Sequence, residues 1–130
     1  MHKKTKGDIA ELAVAARLLE EGYRVLFPIS ENSRYDLVGE KEGKFIRFQV
    51  KYVTPKKGVL DVNCRSSNNW SVLSYTAKEI DMISVYNAND KSIYFIPVSR
   101  INRNSFKLRL DSAKNNQKLN IHLASKFINI

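Results

Sequence analysis

An α/β or α+β sheet domain is the fold class that this sequence predicts. Three observations predict it. One long stretch at the N-terminus has helical spacing, several short β-rich runs follow it, and helical signals recur in the middle and at the end. The chain has 130 residues, of which 43% are hydrophobic and 27% charged, enough for the core of one domain spanning residues 1–130.

Lys4 to Glu21 is expected to be helical. Ile9, Leu12, Ala13, Ala16 and Leu19 recur at helical spacing as an apolar stripe, and Gly22 supplies a C-terminal stop. Tyr23 to Phe27 is β-rich and closed by Pro28, and a polar loop, Ser30 to Arg34, leads to a short strand opened by Asp36. Gly39 to Gly43 is expected as a turn before the long strand Phe45 to Val53, with Phe45 and Tyr52 in the core. Pro55-Lys56-Lys57-Gly58 signals a turn, and Val59 to Arg65 alternates as one strand. Thr76-Ala77-Lys78-Glu79 has the form of a capping box, which predicts a short helix. Met82 to Tyr86 and Ser92 to Val98 read as a hairpin across residues 87–90. The following segment, basic and Asn-rich up to Lys118, gives no strand in this reading. A last helix is expected over Leu119 to Phe127, burying Ile121, Leu123, Ala124 and Phe127.

The formal charge of +9 is unevenly spread: residues 1–43 carry a net −1 and residues 44–130 a net +10. With a pI of about 9.7, the second part suggests a polyanionic partner, nucleic acid first among them. No apolar run is long enough to span a bilayer and no signal peptide opens the chain, so a cytoplasmic protein, nucleoid-associated by function, is expected. Cys64 alone forms neither an internal disulfide nor a cysteine-based zinc site, and His2 and His122 make a poor basis for a histidine site.

The chemistry concentrates on polar residues inside apolar strands. In Phe45 to Val53, alternation puts Ile46, Phe48, Val50 and Tyr52 on one face and Phe45, Arg47, Gln49 and Lys51 on the other. Asp36, on the preceding strand, can meet Gln49 and Lys51 across the sheet. A carboxylate, an amide and an ammonium so placed suit a magnesium ion on a phosphate. Asp36, the Gln49 amide oxygen and the Val50 backbone carbonyl are the candidate ligands. Lys51 is the candidate for holding a water or offsetting phosphoryl charge, and Glu11, on the first helix, is a candidate outer partner. The alternatives are a solvated strand face for Gln49 and Lys51 and an exposed helix carboxylate for Glu11.

Glu11, Asp36, Gln49 and Lys51, in that order on helix, strand and strand, resemble the motif of the PD-(D/E)XK nuclease superfamily. The stretches 6–11, Tyr35-Asp36-Leu37-Val38, Phe48-Gln49-Val50-Lys51, 75–81, Tyr94 to Val98, 108–110 and 114–117 look more closely like the group I intron-encoded homing endonucleases of cyanobacterial type. The resemblance implies a restriction-endonuclease-like core with a mixed central sheet flanked by helices. It also implies a site-specific, magnesium-dependent endonuclease (manganese substituting) that acts on double-stranded DNA as a homodimer or homotetramer. Tyr35 replaces the motif's proline, and Gln49 replaces its second acid, which weakens the charge offered to a cation. A Holliday-junction resolvase and a non-catalytic DNA-binding protein on the same fold are the alternative functions.

DNA contacts are expected from Arg34, from Lys56 and Lys57 at a hairpin tip, and from Asn63, Arg65, Ser66, Ser67 and Asn68 on or beside a two-stranded ribbon suited to a groove. Lys114, Asn115, Asn116 and Gln117 are candidates for phosphate contact. Trp70 is expected to anchor its loop.

Overall fold

The computed structural model describes residues 1–67, 72–74, 78–111 and 121–130. Its centre is a mixed sheet in the order β1-β2-β3-β7-β8. The strands are β1 (Arg24–Leu26), β2 (Leu37–Lys41), β3 (Lys44–Val53), β7 (Met82–Asn87) and β8 (Ile93–Pro97). β3 runs parallel to β7 from Phe48↔Met82 to Val53↔Asn87, and the other pairs in this sheet are antiparallel. Helix α1 (Lys3–Glu20) covers one face. A second sheet, β4 (Val59–Asn63), β9 (Ser105–Arg109) and β10 (His122–Leu123), covers the other. A two-stranded ribbon of β5 (Arg65–Ser67) and β6 (Val72–Ser74) extends from β4.

Two apolar layers result. Val14, Ala15, Leu18, Leu37, Phe48 and Phe95 pack between α1 and the central sheet. Leu60, Val62, Ile83, Val85, Ile96, Phe106, Leu108 and Phe127 are among those that pack between the two sheets. β3 lies in both layers, because its alternate side chains face opposite ways.

The buried stripe of α1 differs from the one predicted. Ala10, Val14, Ala15 and Leu18 are buried, whereas Leu12 and Leu19 are 66% and 60% exposed. The helix is turned so that Val14 and Leu18, flanked by the small Ala10 and Ala15, meet the sheet, which carries Leu12, Ala16 and Leu19 outward. Glu11 thereby sits three, four and seven residues before Val14, Ala15 and Leu18, on the edge of the inward face.

The expected turn over Gly39 to Gly43 contracts to two residues. Lys41 pairs with Lys44, and Glu42 and Gly43 have φ of 54° and 78°, as a tight two-residue hairpin requires. Gly39 is instead a strand residue under close approach: a Cβ there would lie 3.1 Å from Tyr23 and 3.2 Å from Phe48. Phe45, expected in the core, is 62% exposed because it lies at the turn end of that hairpin ladder, paired with Glu40 one step from Lys41↔Lys44. The predicted strand 59–65 breaks at Cys64, where the Cys64 N–H donates to the Asn104 carbonyl (2.8 Å) and the chain passes from β4 to β5.

β9 is an element that the sequence reading left out, although Phe106 and Leu108 alternate with exposed Ser105 and Lys107. The predicted helix over 119–127 is replaced, from Ile121 on, by β10 paired parallel to β9 and a 3-10 turn over Ala124–Phe127. Only Ala124 and Phe127 of its four predicted core residues are buried. Lys78 and Glu79 form a turn where the capping box predicted a helix, and Thr76 and Ala77 lie outside the described residues, as does Trp70. The hairpin of 82–86 with 92–98 is as expected.

The turn at 78–81 is clamped to β3. Arg47 Nε and Nη2 donate to the two carboxylate oxygens of Asp81 (3.0 Å each), its N–H donates to Asp81 Oδ2 (2.9 Å), and Nη1 donates to the Lys78 carbonyl (2.7 Å). This fork holds the Asp81 carboxyl below its usual range. Asp81→Asn is expected to cost about 1 kcal/mol near neutral pH, since the pair is partly solvated. The carboxylate's contribution is present above its ordinary value of 3.8 and is lost as pH falls through the lower folded value. Urea melts of the two proteins should therefore converge in acid.

Candidate active site

β3 emerges beyond the end of β2, and there the main-chain ladder is completed by a side chain. The Asp36 N–H donates to the Phe48 carbonyl (2.8 Å), and Asp36 Oδ2 accepts the N–H of Val50 (2.7 Å). In an extended strand the N–H and C=O of one residue lie on the same edge, so the Val50 carbonyl also faces the edge where Asp36 sits. Gln49 and Lys51 flank Val50 on the opposite face of the strand, both half-buried. Lys51 Nζ donates to the Arg65 carbonyl (3.4 Å), which brings the ammonium under the β4–β5 junction.

Glu11 reaches the same place from α1. A groove of about 740 Å³, between the first turns of α1 and the segment 27–36, is lined by both Glu11 and Asp36. Burial, then the charge of Asp36, then that of Asp8 push the Glu11 carboxyl up to about 7. Burial also raises Asp36, against the opposing effects of the Val50 N–H and Lys51. Burial lowers Lys51, reinforced by Lys3 and opposed by Asp36 and Cys64. Two carboxyl groups and an ammonium are thus gathered in a half-dry place, where the Asp36 charge acts on both Glu11 and Lys51.

The sequence reading did not weigh Asp8 and Lys3 as members of this cluster. Asp8 lies three residues before Glu11 on the same helical face, a spacing visible in the sequence; Lys3 reaches Lys51 only through the fold.

The raised Glu11 carboxyl has a measurable consequence. A group that holds its proton more tightly when folded stabilises the fold fully below its ordinary value of 4.5, and that stabilisation is lost as pH rises through about 7. Without divalent metal, the protein is expected to be more stable at pH 5 than at pH 8. Glu11→Gln should remove much of that slope and stabilise the protein at pH 8 by on the order of 1 kcal/mol, after allowance for solvent screening. Thermal melts across that range check it.

The donor set suits a hard divalent cation. Its candidate members are oxygen atoms: the Glu11 and Asp36 carboxylates, the Gln49 amide and a strand carbonyl. Asp36 spends one oxygen on Val50 and has a second beside it. Burial first, and then repulsion from Asp36, raises Glu11, and a cation beside the two carboxylates would offset both.

The remaining predicted contacts are distributed around this centre. Arg34 Nε lies 2.7 Å from Glu79 Oε2, an ion pair that joins the loop before β2 to the 78–81 turn. Lys56 bridges Val59 around a turn in which Lys57 has a φ of 51°, and both lysines are exposed. Asn63 and Arg65 are exposed at the start of the β5–β6 ribbon, with Asn63 Oδ1 accepting the Arg65 N–H (2.9 Å). Ser66 and Ser67 belong to β5 of that ribbon. Asn68, Lys114, Asn115, Asn116 and Gln117 lie outside the described residues.

The sequence profile of PD-(D/E)XK endonucleases matches residues 1–130. The chain belongs to the PD-(D/E)XK endonuclease family. Among solved structures, the bacterial homing endonuclease I-Ssp6803I is 30% identical, with 91% of this chain and 84% of that chain covered and a TM-score of 0.73. Hjc of Archaeoglobus fulgidus, a Holliday junction resolvase from an archaeal hyperthermophile, shares the fold. It superposes with a TM-score of 0.51 over 80% of this chain and 84% of that one, at 15% identity. Protein 5.3 of Escherichia phage T7 is 42% identical over 48 residues, which is 37% of this chain and 41% of that protein. The expected restriction-endonuclease-like fold is the one found, with α1 on one face of the mixed sheet and the β4–β9–β10 sheet on the other. Among the described residues no helix of this PD-(D/E)XK endonuclease is long and apolar enough to cross a membrane.

Proposed function

We propose that this PD-(D/E)XK endonuclease is a site-specific, magnesium-dependent enzyme of the homing type that cuts double-stranded DNA, with residues 1–130 acting as one nuclease domain. The observation that carries the reading is the Asp36–Val50 contact, which brings a carboxylate and a strand carbonyl to one edge with Gln49 and Lys51 alongside. The likeness to a homing endonuclease over nine-tenths of the chain supports the choice of type.

In this reading Asp36, the Gln49 amide oxygen and the Val50 carbonyl hold magnesium, or manganese in its place, and Glu11 adjusts the charge around it. The bound cation supplies Lewis-acid polarisation of the scissile phosphate and a more acidic water. Lys51 complements it, because its half-buried ammonium positions the attacking water or offsets charge developing on the phosphoryl oxygens. Burial, which lowers Lys51, also keeps that charge poorly screened and therefore effective. Gln49 contributes an oxygen without charge, so metal binding is weaker than with a carboxylate, and Gln49→Glu should tighten it.

Arg34, Lys56, Lys57, Asn63, Arg65, Ser66, Ser67, Asn68, Lys114, Asn115, Asn116 and Gln117 are assigned to DNA contact, with the β5–β6 ribbon directed to a groove. One site cuts one strand, so a symmetric homodimer or homotetramer supplies the second cut. The protein works in the cytoplasm, on the nucleoid.

The substrate test offers the protein a duplex library and, in parallel, immobile four-way junctions. Cleavage confined to particular duplex sequences is the expected result. Sequence-independent cutting of junctions alone would replace this reading by a resolvase. DNA binding without cleavage in magnesium or manganese would leave a binding protein in which Gln49 has cost the activity.

A further inference from the structure

We infer that a basic cleft on the β9–β10 side of the molecule is a second phosphate-binding site, distinct from the Asp36 centre. It would take the phosphodiester backbone of a polynucleotide or a free phosphate. The cleft has a volume of about 330 Å³, and Arg100, Asn102, Arg103, Lys107 and His122 are among the residues that line it. Its described lining holds three cations and no carboxylate. Among the described residues none of the three forms a salt bridge. Asp61 is the cross-strand neighbour of Lys107, but it neither bridges to it nor lines the cleft. A concave surface lined by one sign of charge concentrates anions.

The cleft is held in shape by packing. Phe106 is buried, stacks on His122 at 4.1 Å between ring centres and meets Phe127 edge-on at 5.6 Å. The Arg100 guanidinium lies over the Phe127 ring at 5.4 Å, which fixes its direction at little further entropic cost. Alternation along β9 turns Phe106 and Leu108 inward and leaves Lys107 outward. Arg103 sits next to Asn104, whose carbonyl accepts the N–H of Cys64 (2.8 Å). The carbonyl of the following residue, Arg65, accepts from Lys51 (3.4 Å). The cleft and the candidate active site therefore flank the same β4–β5 junction. That one polynucleotide backbone engages both the cleft and the Asp36 centre rests on the nuclease reading.

The test measures binding of the full-length protein to a fluorescent duplex in EDTA, so that no cleavage intervenes, across a sodium chloride series. The Arg100→Gln/Arg103→Gln/Lys107→Gln variant is expected to bind about tenfold or more weakly. Its log K against log salt slope should be shallower by roughly one or more, since each neutralised phosphate contributes about 0.9. Arg100→Lys/Arg103→Lys, which keeps the charge, should retain most of the slope. All three side chains are exposed, and circular dichroism checks that the variants fold. Equal affinity and slope in the triple variant would overturn the proposal. If the wild-type protein binds no DNA, the nuclease reading falls, and a titration with inorganic phosphate followed by the His122 imidazole proton resonances decides the cleft by itself. Shifts in the wild type that the triple variant lacks would establish a free-phosphate site, and their absence would end the proposal.

Discussion

Asp36→Ala is expected to lower DNA cleavage by about 10³-fold or more, equivalent to roughly 4 kcal/mol of transition-state stabilisation. Removing the carboxylate takes away a candidate metal oxygen and the acceptor for the Val50 N–H (2.7 Å), which fixes the end of the β3 edge. The effect on stability should be small by comparison. The Asp36 carboxyl is raised by burial, so the fold gains little from its charge. The lost hydrogen bond to the N–H of Val50 is worth about 1 kcal/mol. DNA binding in EDTA should persist or tighten, because a negative charge leaves the vicinity of the phosphate. Cleavage kinetics and binding, measured on the same preparation, separate the two effects. Cleavage close to wild type would remove Asp36 from the site.

Phe48→Ala is the counterpart in the fold. Phe48 is fully buried, meets Phe95 edge-on with ring centres 6.2 Å apart, and packs with Leu18 and Leu37 under Gly39. Truncation to Ala removes that apolar surface and leaves a cavity, at a cost of about 3–5 kcal/mol. A protein of this size is commonly stable by only ~5–15 kcal/mol, so this one change takes a large share. Phe48 precedes Gln49, so activity will fall too, but by unfolding: the loss should grow with temperature and follow the urea midpoint. Asp36→Ala should lose activity at every temperature with its midpoint nearly unchanged. An unshifted midpoint in Phe48→Ala would contradict the packing described for β3.

The contrast between these residues explains what was legible in the sequence. β3, β7 and β8 were readable because period-two alternation, or a short β-branched run, is a local signal. Asp36, Gln49 and Lys51 were readable because they interrupt such runs, and a polar residue inside an apolar strand needs a reason. The motif order then placed Glu11 on the first helix, and the groove lined by Glu11 and Asp36 brings the two together. The stripe used to orient α1 was nevertheless wrong. Leu12 and Leu19 are more hydrophobic than Ala10 and Ala15, yet the buried face holds Ala10, Val14, Ala15 and Leu18. Two apolar stripes share this helix, and the sheet that covers one of them is not written in the helix's own spacing.

β9 and β10 were missed for a different reason. Phe106 and Leu108 alternate, but the basic, Asn-rich surroundings outweighed that signal, and the strand exists through its pairing with β4 more than forty residues away. β10 has two residues and is defined by its parallel partner alone. Non-local pairing of this kind leaves almost no local trace, and the cleft formed by Arg100, Arg103, Lys107 and His122 could not be anticipated without it. The pairing of Arg34 with Glu79 and of Arg47 with Asp81 was hidden likewise, since both join segments more than thirty residues apart.

The most direct test of the central claim, that the Asp36–Val50 edge with Gln49 and Lys51 is a metal-dependent phosphodiesterase site, is cleavage of duplex DNA carrying a selected target, as magnesium is titrated from EDTA upward. No cleavage in EDTA, saturable cleavage as magnesium rises, and loss of that cleavage in Lys51→Ala are the expected results. Cleavage that proceeds in EDTA, or that Lys51→Ala leaves unchanged, would contradict it.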